Sequence, residues 1–232
     1  DESAVHFLRD KSKQSEFISM ILDPQTMQIR NQVALKESTK WLRMAADQGQ
    51  DANAQLVLGL LTGAGVGVKK DPAQAAKWMG LAATKLPVAQ ALMGLYYFSG
   101  FGVEENFAEA ARRLREAAEK DVAMAYGPLG GIYAGGFGVV QDDVEAAKWL
   151  RKGVHRGMAD AKAGLSLLYF QGRGMSQDFK QAYTLAREAA EQGDKMGQYM
   201  LGLLFFSGKG VAQNLGESLK WMQAAARQGN SD

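Results

Sequence analysis

The chain contains no cysteine and only 2 histidines among its 232 residues. Thiol catalysis, disulfides and thiolate metal sites are therefore excluded. His6 and His155 lie in different regions, and His155 has no neighbour at ligand spacing, so no metal site is expected. Proline is scarce at 4 residues, while glycine is abundant at 27, a balance that suits many short helices joined by glycine loops. No apolar run approaches the ~20 residues that a membrane span needs, and no signal peptide is visible. The chain begins at Asp1 rather than Met, so a processed or trimmed product is expected, with a targeting or anchoring segment removed. That points to a periplasmic or secreted setting and leaves the cytoplasm open. Charge of one sign is also missing: 27 Lys+Arg against 25 Asp+Glu leave +2, which argues against nucleic acid as a partner. The basic cluster of Arg112, Arg113, Arg115, Arg151, Lys152 and Arg156 reads as a solvated outer face.

What the chain does have is a repeat. Gly65-Val66-Gly67, Gly100-Phe101-Gly102, Gly136-Phe137-Gly138, Gly172-Arg173-Gly174 and Gly208-Lys209-Gly210 recur at steps of 35, 36, 36 and 36 residues. A period of this size marks a solenoid, in which each unit buries its apolar face against its neighbours. An apolar content of 47% is ample for such a core. Each unit reads as helix A, a glycine loop and helix B. Helix A opens on a small residue (Ala54, Ala89, Ala125, Ala161, Gly197) and carries a large apolar one four residues on (Leu58, Met93, Leu129, Leu165, Leu201). Directly after it stands another small residue: Gly59, Gly94, Gly130, Ser166, Gly202. Glycine inside a helix costs roughly 1 kcal/mol against alanine, so this column predicts close approach of a neighbouring helix. The loop glycines supply the positive φ that ends helix A. Val68, Val103, Val139, Met175 and Val211 are expected to plug the corner that follows.

Helix B begins at a cap column: Asp71, Asn106, Asp142, Asp178, Asn214. Three residues later stand Gln74, Glu109, Glu145, Gln181 and Glu217, the reciprocal capping-box pattern. These acids are therefore caps, not catalytic carboxylates or calcium ligands. Farther along come Trp78, Trp149, Leu185 and Trp221, with Arg113 as the exception, and then the small pairs Ala82-Ala83, Ala117-Ala118, Ala189-Ala190 and Ala225-Ala226. Gly157, Gly193 and Gly229 close helix B, a column broken by Asp121 and Leu86. The glycine loops lie between two helices rather than after a strand, which argues against phosphate binding. There is no nucleophile elbow and no Walker loop, so no catalytic residue and no cofactor are expected.

These columns resemble the Sel-one-like repeat family, a relative of tetratricopeptide repeats. Residues 197–229 show its pattern in full, as Gly197, Leu201-Gly202, Leu204-Phe205, Gly208, Gly210-Val211, Asn214, Ser218, Trp221, Ala225-Ala226 and Gly229. The resemblance covers about residues 50–229 and implies an all-α fold: a right-handed superhelical solenoid of five to six helix–loop–helix repeats. It also implies non-enzymatic adaptor or scaffold work, often in the bacterial envelope or in host–microbe contact. The cysteine-rich branch of the family is no guide here. Residues 1–48 read as an N-terminal helical cap with a degenerate half-repeat around Trp41, Ala45-Ala46 and Gly49, and residues 49–232 as five repeats in one solenoid. Residues 1–22 are expected to form a separate helix ending at Asp23-Pro24. No polar capping helix follows the last helix B, so self-association through that face is one expectation.

Binding is expected on helix A, at the two columns one and four residues after the central small residue. There Leu95/Phe98, Leu167/Phe170 and Tyr199/Leu203/Phe206 form candidate patches of a concave groove. The third repeat is bare, with Gly131 and Ala134, and is expected to leave a pocket. Two readings of the patches stand open: they pack against adjacent helices, or they anchor a bound protein or peptide, the role aromatics favour at interfaces. The leading function is a protein-interaction scaffold. The alternative is an immunity or inhibitor protein that wraps a toxin or effector enzyme. A cell-wall hydrolase would need a carboxylate or histidine cluster on the inner face, and the visible acids belong to caps and outer faces.

Overall fold

The structure is a computed structural model in which residues 32–48 and 51–229 are described. The helix expected over residues 1–22 lies outside the described residues. Among those residues stand eleven α-helices and no strand. They are α1 (Gln32–Gln48), α2 (Ala52–Ala64), α3 (Pro72–Ala83), α4 (Pro87–Ser99), α5 (Phe107–Glu119) and α6 (Tyr126–Gly135). They continue as α7 (Asp143–His155), α8 (Ala159–Gln171), α9 (Phe179–Glu191), α10 (Lys195–Ser207) and α11 (Leu215–Gly229). The chain divides into two compact units, Asp1–Ala89 with Phe101–Val103, and Gln90–Gly100 with Glu104–Asp232. In the first, α1 packs on α2 and α2 on α3, around Leu42, Ala46, Leu58, Leu61 and Trp78. In the second, α5 to α11 each pack against the next helix in order, and the first helix α8 also touches the first helices α6 and α10 on either side.

The central small column explains how each hairpin closes. An ideal Cβ on Gly59 would lie 3.2 Å from the carbonyl oxygen of Ala75, and one on Gly94, Gly130 or Gly202 would lie 3.2 Å from that of Ala110, Ala146 or Ser218. Helix B therefore lays a backbone carbonyl directly on helix A. Ser166 fits the same column because its hydroxyl donates to the carbonyl of Ala182 at 2.8 Å. Later residues of α2 face earlier residues of α3, as Gly63 does Ala75 and Gly59 does Met79, so the pair runs antiparallel. Beside this seam Leu58, Leu129 and Leu201 are fully buried, and burial stabilises the fold by roughly 1.5–3 kcal/mol for each such side chain.

All five caps form. Asp71, Asn106, Asp142, Asp178 and Asn214 accept the amide three residues on at 2.9–3.0 Å. The reciprocal half of the capping box does not form as expected. The amides of these five residues donate instead to helix A carbonyls nine residues earlier, those of Thr62, Tyr97, Tyr133, Tyr169 and Phe205, at 2.9–3.1 Å. With the cap amide satisfied there, Glu109, Glu145 and Glu217 turn outward to Arg112, Lys148 and Lys220. The loop residues Val139, Met175 and Val211 sit half-buried against the core, as plugs would.

The broken glycine column also has a cause. Gly157 and Gly193 turn helix B off with φ of 77° and 84°, and Asp121 takes the same left-handed conformation with φ 63°. Its carboxylate is tied down by the Tyr126 hydroxyl and by Arg156.

Candidate protein-interaction surface

The expected groove residues fall into two groups. Leu95 is half-buried against the cluster of Ala91, Leu114 and Leu129. Leu167, Phe170 and Leu203 are half-buried against Ala182, Met200, Leu201 and Leu204. Phe98, Tyr199 and Phe206 are exposed, at 36%, 50% and 56%. In the bare third repeat Gly131 is exposed, and a Cβ built on it would meet nothing within 4 Å. Gly127, one turn earlier, is covered by the Asp160 carboxylate. Burial pushes the Asp160 carboxyl above its ordinary range, and the charge of Asp194 adds to the shift.

The structure also shows an arrangement that the sequence reading missed. Phe98 is one member of a three-residue corner. Its ring lies 5.3 Å from that of Phe107 and 5.7 Å from that of Phe137, and Phe107 and Phe137 are 5.5 Å apart. Phe98 ends helix A of its repeat, Phe107 begins helix B, and Phe137 is the middle residue of the next repeat's Gly-x-Gly loop. The same three columns meet in every repeat where their partners are described. In the third, Arg173 holds Asp143 at 2.5 Å and donates to the Ala134 carbonyl at 2.5 Å. In the fourth, Phe170 and Phe179 meet at 5.5 Å and Lys209 lies over both rings, at 5.1 and 4.9 Å. In the first, Gly63 leaves room for the Phe101 ring, which a Cβ would approach to 3.3 Å. The corners thus alternate aromatic, ionic and cation–π chemistry at one geometry. Phe98 and Phe170 therefore hold neighbouring repeats in register, whereas Tyr199 is exposed and the strip over Gly131 is open.

The loops are set into these corners by their second glycine. Gly138 and Gly174 have φ of 67°, and a Cβ on them would collide with the backbone of Phe107 and Asp143 in the preceding repeat. Half of the basic cluster is ion-paired where it stands. Arg112 and Arg113 share Glu109, Arg156 pairs with Asp121, and Arg115 reaches the Tyr133 hydroxyl. Among the described residues no helix is long and apolar enough to cross a membrane.

Sel1 repeat patterns match residues 35–50, 52–85, 87–122, 124–158, 159–194 and 195–230. The chain belongs to the Sel1 repeat family. Sel1 repeats are found typically in non-catalytic proteins that mediate protein–protein interaction. Among solved structures, this chain is similar to a protective antigen of uropathogenic Escherichia coli with an SLR fold, at 31% identity over 94% of this chain and 49% of that one, with a TM-score of 0.70. It thus spans about half the length of that protein. It is also similar to a Sel1 repeat protein from Oxalobacter formigenes, at 26% identity over 98% of this chain and 82% of that one, with a TM-score of 0.69. An immunity protein from Pseudomonas aeruginosa shares the fold at 18% identity over 89% of this chain and 83% of that one, with a TM-score of 0.54. A search of the curated proteins finds no match.

Proposed function

We propose that this Sel1 chain is a binding scaffold that holds a partner protein or peptide on its first helices, in a bacterial envelope complex. The observation that carries the reading is the open strip at Gly131, flanked in the same column by Leu95 and Leu167 and followed by the exposed Tyr199. An apolar strip with one bare helix accepts a large partner side chain without rearrangement, and a half-exposed tyrosine is a common anchor type. The bacterial sources of both Sel1 relatives support a bacterial setting, and the envelope is part of the proposal. The likeness to an immunity protein shows the fold alone and does not extend toxin neutralisation to this chain.

The test is a Gly131→Arg, Tyr199→Ser variant used beside the native chain in affinity capture from the source cells. Gly131 has ordinary helical φ and open space, so arginine there raises helix propensity and blocks the strip without harming the fold. The expected result is a partner retained by the native chain and lost by the variant, with unchanged circular dichroism. Equal retention by both chains sinks the reading.

A further inference from the structure

We propose that the exposed face of α7 is a second binding surface, which takes an acidic segment of a partner protein. Lys148, Arg151, Lys152 and His155 follow one another at helical steps of three, one and three residues, share one face and are all exposed. The same columns hold Arg112, Arg115, Glu116 and Glu119 on α5, and Thr184, Arg187, Glu188 and Glu191 on α9. There a cation is answered on its own face, Arg112 by Glu116 and Arg187 by Glu191. On α7 the acid of the third column is replaced by Lys152. Its ammonium lies 4.3 Å from the centroid of the buried Trp149 ring, and that of Lys148 lies 5.6 Å from the same centroid. Lys148 pairs with Glu145 at 3.0 Å, and Arg151 reaches the Met175 sulfur at 3.9 Å. Asp143 is held by Arg173, Asp121 by Arg156 and Glu188 by Lys162. Among the described residues neither Arg151 nor Lys152 meets a carboxylate.

The extent of the face decides the occupant. Stacking on a ring leaves the charge of an ammonium intact and restrains its stem, so a carboxylate gains the contact without having to order the lysine. From Lys148 to His155 the face runs about 10 Å along the helix. A nucleic-acid strand running on across the repeats would meet Glu119 and Glu191, which are exposed and hold the His155 column in the repeats on either side. Two or three carboxylates of one acidic segment fit within the face. The chain as a whole carries only +2, so the attraction is local to this repeat. The face lies on a second helix and the strip at Gly131 on a first helix, so the two surfaces can be tested separately.

Fluorescence anisotropy of a labelled hexaglutamate peptide tests this. The native chain is expected to bind the peptide at low ionic strength and to release it as salt is raised. An Arg151→Gln, Lys152→Glu variant is expected to bind at least about tenfold more weakly. Its fold is expected to hold in circular dichroism, because α5 and α9 already carry glutamate in the Lys152 column. If helix is lost, Arg151→Gln and Lys152→Gln are compared singly, and each is expected to bind more weakly than the native chain. A Lys220→Glu, Arg227→Gln variant makes the same change of charge on α11 and is expected to bind like the native chain, as is the Gly131→Arg, Tyr199→Ser variant. Absence of binding by the native chain overturns the proposal, as does native-like binding by the α7 variants. So does an equal loss in the α11 variant, which would make net charge the cause. Tighter binding of a single-stranded DNA hexamer or of phosphatidylglycerol vesicles than of hexaglutamate would overturn it too, by assigning the face to phosphates.

Discussion

Asp121 occupies a backbone conformation that its counterparts reach with glycine, and two side chains keep it there. Asp121→Gly removes the φ cost together with the two contacts, whereas Asp121→Ala removes the contacts and keeps the cost, which is roughly 1–2 kcal/mol for a residue with a Cβ. Urea denaturation is therefore expected to rank the native chain and Asp121→Gly close together, with Asp121→Ala clearly below both. Glu109 supplies a second prediction at this scale. Its hydrogen bond from Arg112 lowers its carboxyl to about 2 from 4.5, with Arg113 adding to the shift. A carboxyl depressed in the folded state stabilises the fold above its unfolded pKa, and that stabilisation is lost as pH falls from about 4.5 to about 2. An NMR titration is expected to find the Glu109 midpoint near the lower value and to see it rise in Arg112→Met. An unmoved midpoint would break the assignment of cause.

Each second helix starts with a cap whose side chain and backbone have separate partners. Asp142 Oδ1 takes the amide of Glu145 at 2.9 Å, while the Asp142 amide goes to Tyr133 at 3.0 Å. Asp142→Ala is thus expected to cost about 1 kcal/mol. Glu145→Ala should cost less than about 0.5 kcal/mol, the value of an exposed ion pair with Lys148. A reciprocal capping box would make the two costs similar, so thermal denaturation of the pair decides between them. The contrast also shows what a sequence discloses. The cap and glycine columns were legible because backbone geometry demands a residue type at one position, repeat after repeat. The destination of the cap amide was not, because its acceptor comes from a packed neighbour nine residues away and any residue provides a carbonyl. The corners were hidden for a related reason. Their columns hold Phe98, Phe107 and Phe137 in one repeat and Ala134, Asp143 and Arg173 in another, so no column is chemically uniform. The available signal was covariation among the three columns: aromatic with aromatic, acid with base.

At the scale of the whole molecule, stability passes from repeat to repeat through the loops. Gly174 combines a φ of 67° with a seat on the backbone of Asp143 in the preceding repeat. Gly174→Ala introduces both backbone strain and a clash, so a loss of at least about 2 kcal/mol is expected in chemical denaturation. Gly131→Ala, also a glycine but in open helix, is expected to raise stability by roughly 0.5–1 kcal/mol. The period already separates these two glycines, since Gly174 recurs in every loop and Gly131 does not, but it does not show that Gly174 sits on the backbone of Asp143. The candidate surface was legible in part: the columns of Leu95, Phe98, Leu167, Phe170, Tyr199, Leu203 and Phe206 could be listed from the period, but the division of Phe98 and Phe170 from the open positions depended on residues of the following loop.

The corners carry a consequence for how such a chain can be lengthened. The partners at positions 98, 107 and 137 span more sequence than one 36-residue period, so no single-period cassette contains a complete corner, wherever its ends are placed. Copying one repeat into a new position therefore always cuts one set of partners and joins another. A copy carrying Arg173 set after Phe98 and Phe107 still finds a cation–π contact, whereas one carrying Phe137 set after Ala134 and Asp143 strands a carboxylate. Lengthening by duplication is thereby biased towards orders of repeats whose seams match.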